Sequence, residues 1–209
     1  MCMKRVYRIA MSIVAAVVAT FVVSCSNETD TTLNSQQKAI QNYLTGAHQP
    51  RLIAEEDLDH SLDDEPQFYS HWGLDIFRYI STYYAEGRDS KPMAEPGDEL
   101  KIAYTAYIFT SGKPAVANIF ATNEQESIDQ LKALGLNTTY EWTTDPYQFT
   151  LGGDEVLDSL QTALEGCREG DSVEVYLTFE AAYGKDYIGN VPSKSALMWD
   201  IDIIGVTKK

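Results

Sequence analysis

The stretch Glu99–Phe109 (Glu-Leu-Lys-Ile-Ala-Tyr-Thr-Ala-Tyr-Ile-Phe) sets the tightest limit on the fold. It is rich in β-branched and aromatic residues and alternates in part, as a half-buried strand does. Further strand-like stretches lie at Leu74–Ser81, Tyr147–Leu151, Ser172–Phe179 and Ala196–Val206. Among them sits one amphipathic helix, Asp154–Leu164, with Val156, Leu157, Leu160 and Leu164 on its inner side. The order of strands, one central helix, then strands predicts an α+β fold with an antiparallel sheet wrapped around that helix. A second helical stripe, Ile128, Leu131 and Leu134, is closed by Gly135 and reads as a helical insertion over 124–136.

The N-terminus reads as a targeting signal. Lys4, Arg5 and Arg8 precede an apolar run from Ile9 to Val23, interrupted only by Ser12 and Thr20. That run is shorter than the ~20 residues a membrane-spanning helix needs, so export is expected rather than a permanent span. Val22-Val23-Ser24-Cys25 resembles the lipobox of bacterial lipoproteins, which implies a signal peptide over 1–24 and lipidation of Cys25. A polar tether, 25–34, follows. The expected location is the cell envelope, lipid-anchored at the outer membrane and facing the periplasm or the exterior. The chain carries a formal charge of −15, and loss of residues 1–24 removes three positive charges and no negative one. Such a chain repels phosphate backbones, which argues against nucleic-acid binding.

Residues 35–72 form an N-terminal extension, with a short helix over 35–45 whose face holds Ala39, Ile40, Tyr43 and Leu44, and an acidic loop, 55–65. The loop lacks the alternating oxygen ligands and turn glycine of a calcium site, and is expected to be a solvated surface stretch. The three histidines, His48, His60 and His71, match no metal spacing and are expected at the surface. Cys167 has no neighbouring histidine or cysteine and reads as a small packing residue. No metal or cofactor is expected.

Several segments from Gly97 onward carry a resemblance. Gly97-Asp98-Glu99-Leu100-Lys101-Ile102-Ala103-Tyr104-Thr105-Ala106 is similar to a strand motif of the FKBP-type peptidyl-prolyl isomerases. Phe149-Thr150-Leu151-Gly152-Gly153-Asp154-Glu155-Val156-Leu157 resembles that family's entry into its central helix. Glu165–Asp171, Ala182-Tyr183-Gly184, Val191–Leu197 and Trp199–Ile204 resemble its later segments, in the family's order. The resemblance implies an FKBP-like domain over 73–209 that acts on proline-containing polypeptides. It implies Tyr183, Phe120 and Tyr104 as the catalytic residues, with Tyr147, Phe149, Val156, Leu157, Leu160, Val191 and Trp199 binding substrate. Ala121, or Val116 if the preceding turn is aligned without an insertion, stands where the family carries aspartate, and Leu160 where it commonly carries tryptophan.

The absence of histidine, of a Ser/His/Asp set and of a metal cluster from this part of the chain fits such a role, because prolyl isomerisation breaks no bond. The function the resemblance implies is cis–trans isomerisation of X-Pro bonds in exported proteins. A membrane-tethered FKBP-like binding or chaperone module is the alternative.

Overall fold

The computed structural model describes residues 31–59, 61, 65–136 and 139–209. The segment expected to be a signal, residues 1–24, lies outside the described residues, as do Cys25 and His60. Gln36–Lys209 forms one compact unit, and Met1–Ser35 a second, of which residues 31–35 are helical.

The larger unit is α+β. Its strands are β1 (Ile53–Ala54), β2 (Phe68–Trp72), β3 (Ile76–Ile80), β4 (Glu99–Phe109), β5 (Ile119–Thr122), β6 (Tyr147–Thr150), β7 (Ser172–Leu177) and β8 (Ala196–Thr207). They make a sheet ordered β1-β2-β3-β7-β8-β4-β5, with β6 also paired to β4. Every pairing is antiparallel except β1 with β2. The helices are α1 (36–42, closing in a wider π turn at Tyr43–Ala47), α2 (Gln125–Ala133) and α3 (Asp158–Leu164).

Period-two alternation sorts the strands onto two apolar faces. Leu100, Ile102 and Ala106 of β4, Val173 and Val175 of β7, and Leu197, Trp199, Ile201 and Ile203 of β8 pack with Leu160 and Leu164 of α3. Residues of the opposite parity, among them Phe77, Tyr79, Phe109, Tyr176 and Met198, pack with Ile40, Tyr43 and Leu44. The sheet is therefore covered on both sides. This explains why the alternation along Glu99–Phe109 is only partial: few of its positions face water.

Three expectations need correction. The central helix begins at Asp158, not Asp154, because residues 152–157 form a turn whose backbone is bonded to a helix side chain, Gln161. Leu134 does not complete the stripe of α2: it caps the helix and is exposed, while Ile128 and Leu131 are buried. His48 is not a surface residue but is only 3% exposed. Its ring lies edge-on to Tyr43 and Tyr79, its Nε2 is 2.9 Å from Glu174 Oε2, and its Nδ1 is 2.5 Å from the Pro50 carbonyl oxygen.

Candidate active site

The site is built on β4, β5 and the chain on either side of α3. Tyr104 is fixed through its backbone: its N–H donates to Asn123 Oδ1 (2.6 Å), and its carbonyl accepts from the Thr122 hydroxyl (2.9 Å). Asn123 is itself buried, and its Nδ2 also donates to the Ile102 and Asp145 carbonyls, both at 3.1 Å. One side chain thus ties β4 to the loop that follows α2.

From this frame the aromatic rings converge. The Tyr104 ring lies 5.4 Å from Trp199 and 6.3 Å from Tyr147, and Phe120 meets Trp199 edge-to-face at 5.7 Å. Such offset and edge contacts are the favoured geometries for aromatic pairs. A cavity of about 480 Å³ opens here, lined by Tyr104, Phe120, Ala121 and Tyr147 on the strand side. Trp199, 9% exposed, backs the two central rings. Phe149 is stacked beneath Tyr147 at 5.9 Å and is 2% exposed, so it supports the wall rather than facing the opening. Leu160 and Val191 are likewise buried in the core below.

Val156 and Leu157 lie in the turn before α3, half-buried against the same core as Tyr104, Phe120 and Tyr183. Gln161 holds this turn. Its Oε1 accepts the Gly152 N–H, and its Nε2 donates to the Gly153 (2.8 Å) and Val156 (3.1 Å) carbonyls. The Leu157 N–H has no acceptor among the described residues. Tyr183 is half-buried, and its hydroxyl is also without a partner among the described residues. Burial raises the pKa of that phenol, keeping it a hydrogen-bond donor at neutral pH. For Tyr104, burial and then the neighbouring phenols Tyr140, Tyr147 and Tyr183 act in the same direction.

The opposite side of the cavity was not foreseen from sequence. Tyr140, Trp142, Thr143 and Asp145, from the loop after α2, line it together with Gly189 and Asn190. The rings of Tyr140 and Trp142 pack at 4.6 Å. Trp142 Nε1 and Trp199 Nε1 are buried donors with no protein acceptor among the described residues. The available signal was a Tyr-Glu-Trp triplet within the otherwise polar stretch 137–145, where aromatics have no core face to serve.

A second cavity, about 280 Å³, shares no lining residue with the first. It is bordered by Arg78, Arg88 and Arg168, which are engaged in holding the fold. Arg88 pairs with Asp171 (Nε–Oδ1 2.6 Å, Nη2–Oδ2 2.8 Å), Arg78 Nη1 caps the Ala163 and Glu165 carbonyls, and Arg168 Nη1 binds those of Asp89 and Lys91. Cys167 is fully buried, and burial pushes its thiol up to about 11, which leaves it no nucleophilic role at neutral pH. Among the described residues no group of three or more His, Cys, Asp or Glu side chains is placed to hold a metal ion.

A model of the family described as FKBP-type peptidyl-prolyl cis-trans isomerase matches residues 91–204. That span includes β4 to β7, most of β8, and every residue named above as lining the aromatic cavity. A search of curated proteins returned no match.

Proposed function

The chain belongs to the FKBP-type peptidyl-prolyl cis-trans isomerase family, and from that premise we propose that it accelerates cis–trans exchange at X-Pro bonds of exported polypeptides. The observation that carries the reading is the aromatic cavity, lined by Tyr104, Phe120 and Tyr147 and backed by Trp199. Rotation about a peptide bond faces a barrier of about 18–20 kcal/mol, and uncatalysed X-Pro exchange takes tens of seconds or longer. The barrier is amide resonance, and water supports the charge-separated planar form. Apolar walls withdraw that support and favour the twisted imide over the planar one. Each ~1.4 kcal/mol of such preference gives a tenfold rate gain.

In this mechanism Tyr104, Phe120 and Trp199 enclose the proline ring, with Tyr147, Val156 and Leu157 at the edge. The Tyr183 hydroxyl and the Leu157 N–H donate to substrate carbonyls, which fits their lack of partners among the described residues. Phe149, Leu160 and Val191 hold the walls from below. Export and lipidation at Cys25 place this activity at the cell envelope, a reading supported by the charged and apolar N-terminal pattern. Fatty-acid labelling that persists in Cys25→Ser would count against the anchor.

A second reading, a binding module without turnover, is favoured by Ala121, which lines the cavity and, in one of the two alignments of the resemblance, stands where the family carries aspartate. Titration with an X-Pro peptide, followed by the NMR signals of the three tryptophan indoles, tests the shared element of both readings. Trp142 and Trp199 are expected to shift and saturate, while Trp72 stays still. Absence of any shift at Trp142 and Trp199 would refute the site. Saturable shifts without rate enhancement would favour the second reading.

A further inference from the structure

Between β7 and β8 the chain makes the loop that carries Tyr183 and Val191. Part of its order is internal: the Gly184 N–H donates to the Phe179 carbonyl (2.8 Å), and the Lys194 N–H to the Gly184 carbonyl (2.9 Å). Its base is closed from outside by α1. Gln36 Nε2 donates to the Lys194 carbonyl at 2.8 Å, and Gln36 Oε1 accepts the Phe179 N–H at 2.8 Å. A single carboxamide thereby joins the two ends of the loop. The adjacent Gln37 Nε2 donates to Asp75 Oδ1 (3.1 Å), which also accepts the hydroxyl of Thr178 (2.7 Å). Thr178 and Phe179 are fully buried, so water is poorly placed to replace a lost bond at this point.

Gln36 lies well outside the family-matched residues 91–204, and the loop it closes lies inside them. We propose that Gln36 is a positioning residue for the active site: by clamping Phe179 to Lys194 it fixes the loop that presents the Tyr183 hydroxyl. The inference rests on the isomerase reading, since it concerns the same pocket. It makes α1 a working part of the catalytic unit, not merely a cover over the second face of the sheet. Gln36 touches no substrate; it acts through Tyr183. A buried N–H deprived of its acceptor favours local opening, and small displacements of a donor are costly to a reaction that depends on orientation.

The test uses the full-length protein and three variants: Gln36→Ala, Gln36→Glu, which keeps the acceptor for Phe179 but not the donor to Lys194, and Lys38→Ala as an exposed control on the same helix. Amide hydrogen exchange and isomerase kinetics are read together. For Gln36→Ala, exchange at Phe179 and Gly184 should accelerate on the order of tenfold, with Leu100 and Ile201 unchanged. The same variant should lose roughly three- to tenfold in kcat/KM, carried mainly by kcat. Gln36→Glu keeps the acceptor for Phe179 but sets a carboxylate oxygen against the Lys194 carbonyl. Phe179 should therefore stay protected at neutral pH while activity falls about as far as in Gln36→Ala, because the loop is joined at one end alone. Lys38→Ala should match the wild type. Unchanged exchange at Phe179 overturns the proposal. So does equal acceleration at Leu100 and Ile201, which would mark a merely structural role, or full kcat with the loop opened. A wild type without turnover refutes the isomerase reading instead, and the exchange data alone then decide the clamp.

Discussion

Replacing Gln161 by alanine removes the side chain that shapes the turn in front of the central helix. Three bonds go at once: that of the Gly152 N–H, and those to the Gly153 and Val156 carbonyls. A net ~0.5–1.5 kcal/mol for each gives about 1.5–4.5 kcal/mol. Gly152 is exposed and Gly153 and Val156 are half-buried, so water recovers part of this; about 2–3 kcal/mol is the expected loss. For a chain of this size that lowers Tm by roughly 4–12 °C. The turn also orients Val156 and the Leu157 N–H, so kcat/KM should fall by more than the unfolded fraction accounts for. Gln161→Glu sharpens the test. It keeps an acceptor for Gly152 but sets a carboxylate oxygen against two carbonyls, so at neutral pH it should be at least as destabilising as alanine and recover as acid protonates it. Urea denaturation with coincident fluorescence and circular dichroism measures both. A loss below ~0.5 kcal/mol in Gln161→Ala, within the range of ordinary surface substitutions, would mean that the Gln161 bonds do not hold this turn.

Two further outcomes follow from the same contacts. Tyr183→Phe removes a hydroxyl with no partner among the described residues, so stability should stay within ~0.5 kcal/mol while isomerase activity falls, as thermal denaturation and kinetics will show. At His48, burial opposes the charge, but the bonds to Glu174 and the Pro50 carbonyl outweigh it, so its pKa rises on folding. The stability it contributes is therefore complete below the unfolded value of about 6.5 and is lost as pH rises through the higher folded one. The groups around it are Tyr43, Tyr79, Glu174 and Tyr176, the last bonded to the same carboxylate oxygen. Urea curves of wild type and His48→Gln from pH 6 to pH 9 should converge towards the alkaline end; parallel curves would contradict the assignment.

What the sequence revealed and what it hid have physical reasons. β4 was legible with both ends, because turns flank a run of β-branched and aromatic residues. The strand-side half of the cavity was legible because Tyr104, Phe120 and Tyr147 lie near motifs of fixed spacing. The start of α3 was not, because Asp154–Leu157 has helical periodicity but its backbone is committed to Gln161, a bond that pattern alone does not display. β1 and β2 escaped because their order depends on edge pairing with β3. The burial of His48 depends on Glu174, a residue far along the chain. The Tyr140–Trp142 wall comes from a polar loop whose place depends on Asn123 reaching the Asp145 carbonyl. Side-chain hydrogen bonds to backbone or to distant side chains, which periodicity does not display, account for the α3 start, His48 and the Tyr140–Trp142 wall.

The Tyr104–Phe120–Trp199 pocket is proposed to accelerate rotation about X-Pro bonds. The most direct test is a protease-free cis–trans exchange assay on short X-Pro peptides with increasing amounts of the full-length protein. The exchange rate should rise linearly with protein concentration and fall sharply in a folded Tyr183→Phe protein. A flat rate, from folded wild-type protein that still shifts Trp142 and Trp199 on binding peptide, would contradict that role.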